Sequence, residues 1–348
     1  MIKIKISARG APLNAQLSQF LGNDENQWGN CKFYVNSDIA EPDFWFILEE
    51  PDDGDRAGWI SPDRIFFLTA ETSWPSGHYA ESPGALSYLN QFARVFTCHD
   101  VYLPNVTYTA PFLPWMINAN HGPSIFAPHQ RDFNFFNELK GTKKDKTLSV
   151  FCSAQALTAP HRMRLRFVEK LKEHFGDQLD WYGNGVQPLD EKWEGIAPYK
   201  YTIALENHSS NNVITEKLQD AFLGLSYPIY WGAPNVHQYF DQESFSQIDI
   251  KDLSGSIESI ERIVSTNTYE NRIDSLLESK NRVISEVNFL NRIAKIAEGI
   301  WDREGIAPKK HVEIQLPGSF APPLNRPVST FVQRAGNFIQ RKGSSIRM

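Results

Sequence analysis

Residues 199–232 read Tyr-Lys-Tyr-Thr-Ile-Ala-Leu-Glu-Asn (199–207), His-Ser-Ser-Asn-Asn-Val-Ile (208–214), Thr-Glu-Lys-Leu (215–218), Gln-Asp-Ala-Phe-Leu-Gly-Leu-Ser (219–226) and Tyr-Pro-Ile-Tyr-Trp-Gly (227–232). Tyr201 to Leu205 is short, apolar and β-prone, and predicts a strand. Glu206 to Asn212 is polar, with the Asn and Ser residues that favour turns. Thr215 suits a helix N-cap. Leu218, Ala221, Phe222 and Leu225 then recur at i, i+3, i+4 and i+7, which gives the helix one apolar face. Tyr227 to Trp231 predicts a second buried strand, closed by Gly232. Strand, helix, strand in this order is a βαβ unit, and such a unit implies a parallel sheet.

Ligands of open α/β sheets bind at the carboxyl ends of the strands, beside helix N-termini. Glu206 and Asn207 end the first strand, and Glu216 and Lys217 open the helix. A cation in a first helical turn faces the positive end of the helix dipole, which is mildly unfavourable. An anion held there by backbone N–H groups reverses that sign, and phosphate is the usual candidate. The competing reading of Lys217 is a solvated lysine paired with Glu216 or Asp220.

The stretch Tyr-Lys-Tyr-Thr-Ile-Ala-Leu-Glu-Asn, Thr-Glu-Lys-Leu and Tyr-Pro-Ile-Tyr-Trp-Gly resembles the signature of the α-1,3/1,4-fucosyltransferases, glycosyltransferase family ten. The resemblance implies an α/β fold of two Rossmann-like domains facing across a cleft, of the GT-B type. It also implies inverting transfer of fucose from GDP-fucose to a glycan hydroxyl, with no essential metal or other cofactor; the alternatives are the same fold using a different nucleotide sugar, or a catalytically silent glycan- or nucleotide-binding relative. By resemblance Glu216 binds the nucleotide ribose, and Glu206 and Asn207 support the donor site. The family often has an aromatic nucleotide contact where this chain has Val213. The loop from His208 to Asn212 is expected to close on the donor, as lids do.

At 348 residues, two domains are the natural expectation. Apolar content of 41% and charged content of 22% are ordinary for a globular chain. No run of about eighteen apolar residues predicts a transmembrane span. Met1 leads directly into Ile-Lys-Ile-Lys-Ile, which reads as a strand and not as a signal peptide. Cys31, Cys98 and Cys152 are few, odd in number and scattered, which argues for reduced thiols and against a disulfide framework or a zinc site. A cytoplasmic location is therefore expected. A net charge of −6 gives no reason to expect nucleic acid as a partner.

Residues 1–140 are expected to form the acceptor-side domain. Strand-like segments recur at Ile2–Ile6, Cys31–Val35, Phe44–Leu48, Arg64–Thr69 and Arg94–Cys98, separated by polar or helical stretches such as 13–21 and 83–92. Glu71 ends the apolar run Phe66-Phe67-Leu68-Thr69-Ala70, where α/β proteins place catalytic side chains. The segment resembles a family segment, Phe-x-Thr-Gly-Glu-Asn, whose Glu is the proposed general base; here Ala70 and Thr72 replace its Gly and Asn. An attacking hydroxyl must lose its proton, and a carboxylate within hydrogen-bond reach contributes roughly 10² to 10⁴ in rate. Glu81 is the nearby rival. The run Glu49 to Asp55 contains Asp-Gly-Asp, but its Pro and Gly mark a turn, and a solvated acidic loop is expected rather than a metal motif. His78, His99, His121 and His129 show no ligand spacing. Trp74, Tyr79, Phe112 and Trp115 are candidates either for lining a sugar cleft or for packing.

Gly141 to Lys146 is short and charged, and is expected to be the boundary before a donor domain over 147–316. There, Ser153 to Pro160 reads as a loop before a helix, with Pro160 well placed at its start. Arg162, Arg164 and Arg166 lie in its opening turns, and arginine's fork suits a pyrophosphate. The family spacing of an Arg three residues before a Phe selects Arg164, with Phe167. Arg164 and Lys217 are thus expected to hold the donor diphosphate. Gly183 and Gly185 end a strand; the third glycine of a dinucleotide fingerprint is absent, and the expectation is that Gly183 lets backbone approach the nucleotide. Residues 317–348 form a basic tail in which Phe331, Ala335, Phe338 and Ile339 share one helical face. Such a face can lie on an anionic membrane, so peripheral contact through residues 328–348 is expected, the alternatives being a helix docked on its own domain or a disordered end. With no export signal read, a lipid-linked glycan or a lipopolysaccharide precursor is the expected acceptor.

Overall fold

The computed structural model describes residues 1–9, 19–21, 25–52, 54–70, 72, 83–118, 131–156 and 158–320. The first unit contains β1 (Ile2–Ala8), β2 (Gln27–Trp28), β3 (Cys31–Val35), β4 (Phe44–Leu48), β5 (Ala57–Ile60), β6 (Ile65–Leu68), helix α1 (Pro83–Leu89), β7 (Arg94–Thr97) and β8 (Val106–Tyr108). Helix α2 (Phe133–Glu138) leads to the second unit. There the chain runs through β9 (Lys146–Phe151), α3 (Ala159–Phe175), β10 (Leu179–Tyr182), β11 (Tyr199–Leu205), α4 (Glu216–Leu223), β12 (Tyr227–Trp231) and β13 (Ser246–Gln247). Helices α5 (Leu253–Ser265), α6 (Thr268–Asn271), α7 (Ile273–Arg282) and α8 (Phe289–Glu304) follow, then β14 (Lys310–Glu313).

The first sheet has the order β2-β3-β1-β4-β6-β7-β8 and is parallel except for the β2–β3 pair. The second has the order β10-β9-β11-β12-β13 and is wholly parallel. A parallel strand covered on both faces reads as a continuous apolar run. Phe44-Trp45-Phe46-Ile47-Leu48 is such a run. Its even-numbered residues enter the large core that also takes in the second sheet, and Trp45 and Ile47 enter a smaller one with Phe67 and Tyr88 on the opposite face. The two expected Rossmann-like units are thus present as two parallel α/β sheets.

The last stretch of the expected donor domain packs on the first sheet. Helix α8 lies against β1, β2 and β3, with Glu298 accepting the Asn30 N–H at 3.2 Å. Beyond it, β14 pairs antiparallel with β5. Arg292 on α8 donates to the carbonyls of Pro111 (2.8 Å) and Ala110 (2.6 Å), and its guanidinium lies 3.8 Å from the Phe112 ring centroid. Burial lowers the Arg292 pKa to about 10.

Several side chains differ from the expectation. Asp55 is no solvated loop residue: it is paired with the buried Lys5 and accepts the Ser7 hydroxyl. Phe112 and Trp115 are buried core residues, Trp115 lying edge-on to Phe20 at 4.5 Å, and they line no cleft. Glu71, Trp74, His78, Tyr79, Glu81, His121, His129 and the tail 328–348 lie outside the described residues. No helix among the described residues is long and apolar enough to cross a membrane.

Candidate functional site

The site is built where β11 meets α4. Glu206, the residue after β11, is fully buried. Its two carboxylate oxygens accept the Thr215 N–H (2.8 Å) and the Thr215 hydroxyl (2.6 Å). Thr215 is the N-cap of α4 and takes the Lys217 N–H on its own hydroxyl oxygen at 3.4 Å. One strand-end carboxylate thereby fixes the cap, and the cap fixes where the helix starts.

Gly232 makes room for this arrangement. A Cβ there would lie 2.2 Å from Tyr230 Oη and 2.4 Å from Glu206 Cγ. Tyr230 Oη in turn donates to the Val213 carbonyl (3.1 Å) and accepts the Ala233 N–H (2.9 Å). The Tyr-Trp-Gly end of β12 therefore braces the loop that precedes α4. Val213 itself is buried, with 1% of its surface exposed.

Lys217 Nζ lies 2.9 Å from Glu216 Oε1, 3.2 Å from Thr215 Oγ1 and 3.7 Å from Glu206 Oε2. Lys217 thus pairs with Glu216, but inside a built cluster and with its side chain only 22% exposed, not on a solvated face. Burial alone would lower its pKa, but Glu216 and Glu206 outweigh burial and raise it, so it stays charged. Burial works against the Glu216 carboxylate, yet Lys217 and then Lys192 hold its pKa down at about 2. For Glu206 burial wins and the pKa rises despite Lys217 nearby.

Helix α3 brings the second cation. Thr158 caps it by accepting the His161 N–H, and Pro160 sits in its first turn. Arg164 is buried on the inner face and donates through Nη1 to Asn207 Oδ1, while Arg162 is exposed and turns back to the Ala156 carbonyl (3.1 Å). Arg164 Nε is buried and has no hydrogen-bond partner among the described residues. The Arg164 charge also opposes that of Lys217. Two cations held close together, one with an unspent buried donor, form a receptor for an anion with several oxygens.

Gly183 has a packing reason to be glycine. Its φ is +146°, and a Cβ would lie 2.6 Å from the Cys152 carbonyl oxygen. The glycine is required by the neighbouring end of β9. The expected lid is fastened at one end. Asn212 donates its N–H to Asn235 Oδ1 (2.8 Å), and its Oδ1 accepts from Asn235 Nδ2 (2.9 Å) and Tyr239 Oη (2.7 Å). Tyr239 Oη also accepts the Ala110 N–H at 3.0 Å, which reaches the chain leaving the first sheet.

Arg164, Glu206, Asn207, Glu216 and Lys217 are therefore one cluster. Lys192 and Asp220 belong to it too. Lys192 gave no sequence signal, because a lone lysine in a loop has no pattern. Asp220 was visible only as a pairing option for Lys217.

Residues 142–271 match the sequence profile of glycosyltransferase family 10 (fucosyltransferase), C-terminal part. The chain is 34% identical over 92 residues to alpha-(1,3)-fucosyltransferase FucT of Helicobacter pylori, covering 26% of this chain and 19% of that protein. It is 24% identical over 185 residues to GDP-fucose protein O-fucosyltransferase 3 of Danio rerio, covering 49% and 39% of the two proteins. The chain thus spans less than half the length of these relatives. Among solved structures it is similar to an alpha1,3-fucosyltransferase crystallised with GDP, with 17% identity, coverage of 85% and 90%, and a TM-score of 0.48. The matched residues 142–271 carry the whole Arg164–Lys217 cluster.

Proposed function

We propose that the protein is an inverting glycosyltransferase that moves fucose from GDP-fucose to a hydroxyl of a glycan, in an α-1,3 or α-1,4 linkage. The observation that carries the reading is the buried, unpartnered Nε of Arg164 beside the charged Lys217. The family match over 142–271 supports it, and the name of the Danio rerio relative points to GDP-fucose as donor.

In the proposed reaction the acceptor oxygen forms a bond to the anomeric carbon from the face opposite the diphosphate. The bond from that carbon to the diphosphate oxygen breaks, and its electron pair leaves with GDP. Arg164 and Lys217 meet the charge that grows on the leaving group. Preorganised charge of this kind is typically worth 10² or more in rate per group. Because the two side chains supply this charge, the proposal needs no metal ion. Glu71 is proposed to take the acceptor proton. Glu216 is proposed for the ribose hydroxyls, since its low pKa keeps it an acceptor at neutral pH. A lipid-linked glycan is the proposed acceptor, reached at the cytoplasmic face of a membrane through the basic tail.

Thermal unfolding with saturating GDP, GDP-fucose, UDP and CDP tests the donor. A ligand at a hundred times its dissociation constant adds about 2.7 kcal/mol, a shift of roughly 5–11 °C for a cooperative domain of 150–250 residues. A shift with the guanine nucleotides alone is expected. A shift with UDP or CDP instead would overturn the donor, and no shift with any nucleotide would overturn the reading.

A further inference from the structure

We infer that Asp220, together with Lys192, is a positioning residue for the donor site: it fastens the helix carrying Glu216 and Lys217 to backbone that arrives from the first sheet. This rests on the proposed function in one respect only, that the Glu216–Lys217 pair meets a nucleotide.

Asp220 stands four residues after Glu216, hence on the same face of α4. It is fully buried. Its Oδ1 accepts the Met116 N–H at 2.9 Å, and its Oδ2 accepts from Lys192 Nζ at 2.5 Å. Met116 lies on the strap 109–118, which leaves β8 and ends the described part of the first unit. The other end of the strap is held by Arg292 and Tyr239. Asp220 thus receives one hydrogen bond from each side of the molecule, and the charge of Lys192 also reaches Glu216.

A carboxylate with no exposed surface is an expensive way to hold a helix. A packed apolar side chain would hold it at least as well, because burying an ion pair seldom gives net stability. What the carboxylate adds is direction, since it admits Met116 and Lys192 only in one geometry. Transfer between two lobes requires reacting atoms held near 3 Å, and a misplacement of about 1 Å can lower rate by roughly 10². The Met116–Asp220 bond runs straight from the strap to the helix that carries Lys217.

The charged groups that act on Asp220 are Lys192, from the turn after Glu191, and Glu216 on its own helix. The strap 109–118 contributes no titratable side chain. Burial pushes the Asp220 pKa up to about 6, with Lys192 opposing. Below that pH the wild-type residue is neutral and comes to resemble an asparagine.

The test is Asp220→Asn, read in two ways. Amide hydrogen exchange needs no ligand and is expected to quicken at Met116 and at 215–219 while β1 keeps its protection. The dissociation constant of GDP, measured by calorimetry, is expected to rise on the order of tenfold at pH 7.5. The ratio of variant to wild type should shrink towards one at pH 5; the phosphate of GDP titrates in both proteins and cancels. Lys192→Arg on its own, which keeps the cation facing Asp220, is expected to keep wild-type exchange and affinity where Lys192→Met does not. If Asp220→Asn does not fold, Lys192→Met gives the same two readouts with the Met116 bond kept. Unchanged exchange at 215–219, or a pH-independent ratio, would overturn the inference. Absence of GDP binding in the wild type would overturn the proposed function instead, and the exchange data alone would then decide the role of Asp220.

Discussion

Arg164→Met separates a residue that builds the fold from one held ready for a ligand. Arg164 gives a part-buried hydrogen bond to Asn207, leaves Nε unpartnered among the described residues, and opposes the charge of Lys217. Losing a hydrogen bond from a charged donor costs about 1.5–3 kcal/mol. Removing a buried donor with no partner returns about 1–3 kcal/mol, and the relief of Lys217 adds to that side. Methionine is unbranched and fits the same slot without a large cavity. The terms nearly cancel, so the variant is expected to unfold in urea within about 1 kcal/mol of the wild type.

With nucleotide the balance is different. Truncating one partner of a buried, hydrogen-bonded charge pair costs about 2–5 kcal/mol. Even 2.7 kcal/mol weakens GDP binding about a hundredfold. At a GDP concentration a hundred times the wild-type dissociation constant, the wild type gains about 2.7 kcal/mol, while the variant gains only about 0.4 kcal/mol. Urea unfolding with and without GDP reads both numbers. A variant that loses several kcal/mol without ligand but keeps the full GDP increment would refute the reasoning, and would make Arg164 a structural arginine.

Two further outcomes follow from side chains around the site. Gly232→Ala should cost about 1–3 kcal/mol and abolish nucleotide binding, because the new methyl meets Tyr230 Oη at 2.2 Å and Glu206 Cγ at 2.4 Å; a folded variant with wild-type GDP affinity would argue against Tyr230 as the brace. Lys144 donates to the carbonyls of Ala197 (2.8 Å) and Gly224 (2.9 Å), and burial lowers its pKa to about 7. The folded state then binds fewer protons than the unfolded one between pH 7 and 10.5, so stability rises with pH across that window. Relative to Lys144→Met, the wild type should gain on the order of 3 kcal/mol between those limits, allowing for partial solvent screening, and parallel stability curves would disprove it.

Strands of both units are readable because their signals are local. Tyr227–Trp231 and Phe44–Leu48 are apolar runs, bounded by Ser226 and Gly232 and by Asp43 and Glu49, and both strands occupy those bounds. Thr215 was legible as a cap because a hydroxyl before an amphipathic run has one common use. Pairings between remote segments were not legible. Strand β14 joins β5 across about 250 residues of chain, and neither four-residue strand has a buried apolar pattern to betray it. Asp55 escaped for the same reason, since its partner Lys5 sits in the first strand, some fifty residues away. Gly183 reads as a special position from its place at a strand end, and the remote neighbour that crowds it, the Cys152 carbonyl, does not. Lys192 and Asp220 meet only because the turn after Glu191 folds over α4.

The strand-end pair Glu206-Asn207 shows how the site divides its labour. Sequence position alone makes both candidates for touching a ligand. Glu206 has committed both oxygens to Thr215, lies 3.7 Å from Lys217, and has no exposed surface. A ligand could reach it only after α4 lost its cap. Asn207 instead accepts from Arg164 and thereby orients a cation that keeps a donor in reserve. Glu206 therefore acts through the helix start, and its loss should weaken binding and stability together. Asn207 acts through Arg164, and its loss should weaken binding with far less effect on stability. The same logic explains why a raised Glu206 pKa is tolerated. A protonated Glu206 can still accept from Thr215, whereas Glu216, which is only partly buried, is held ionised by Lys217 and stays able to accept from a hydroxyl.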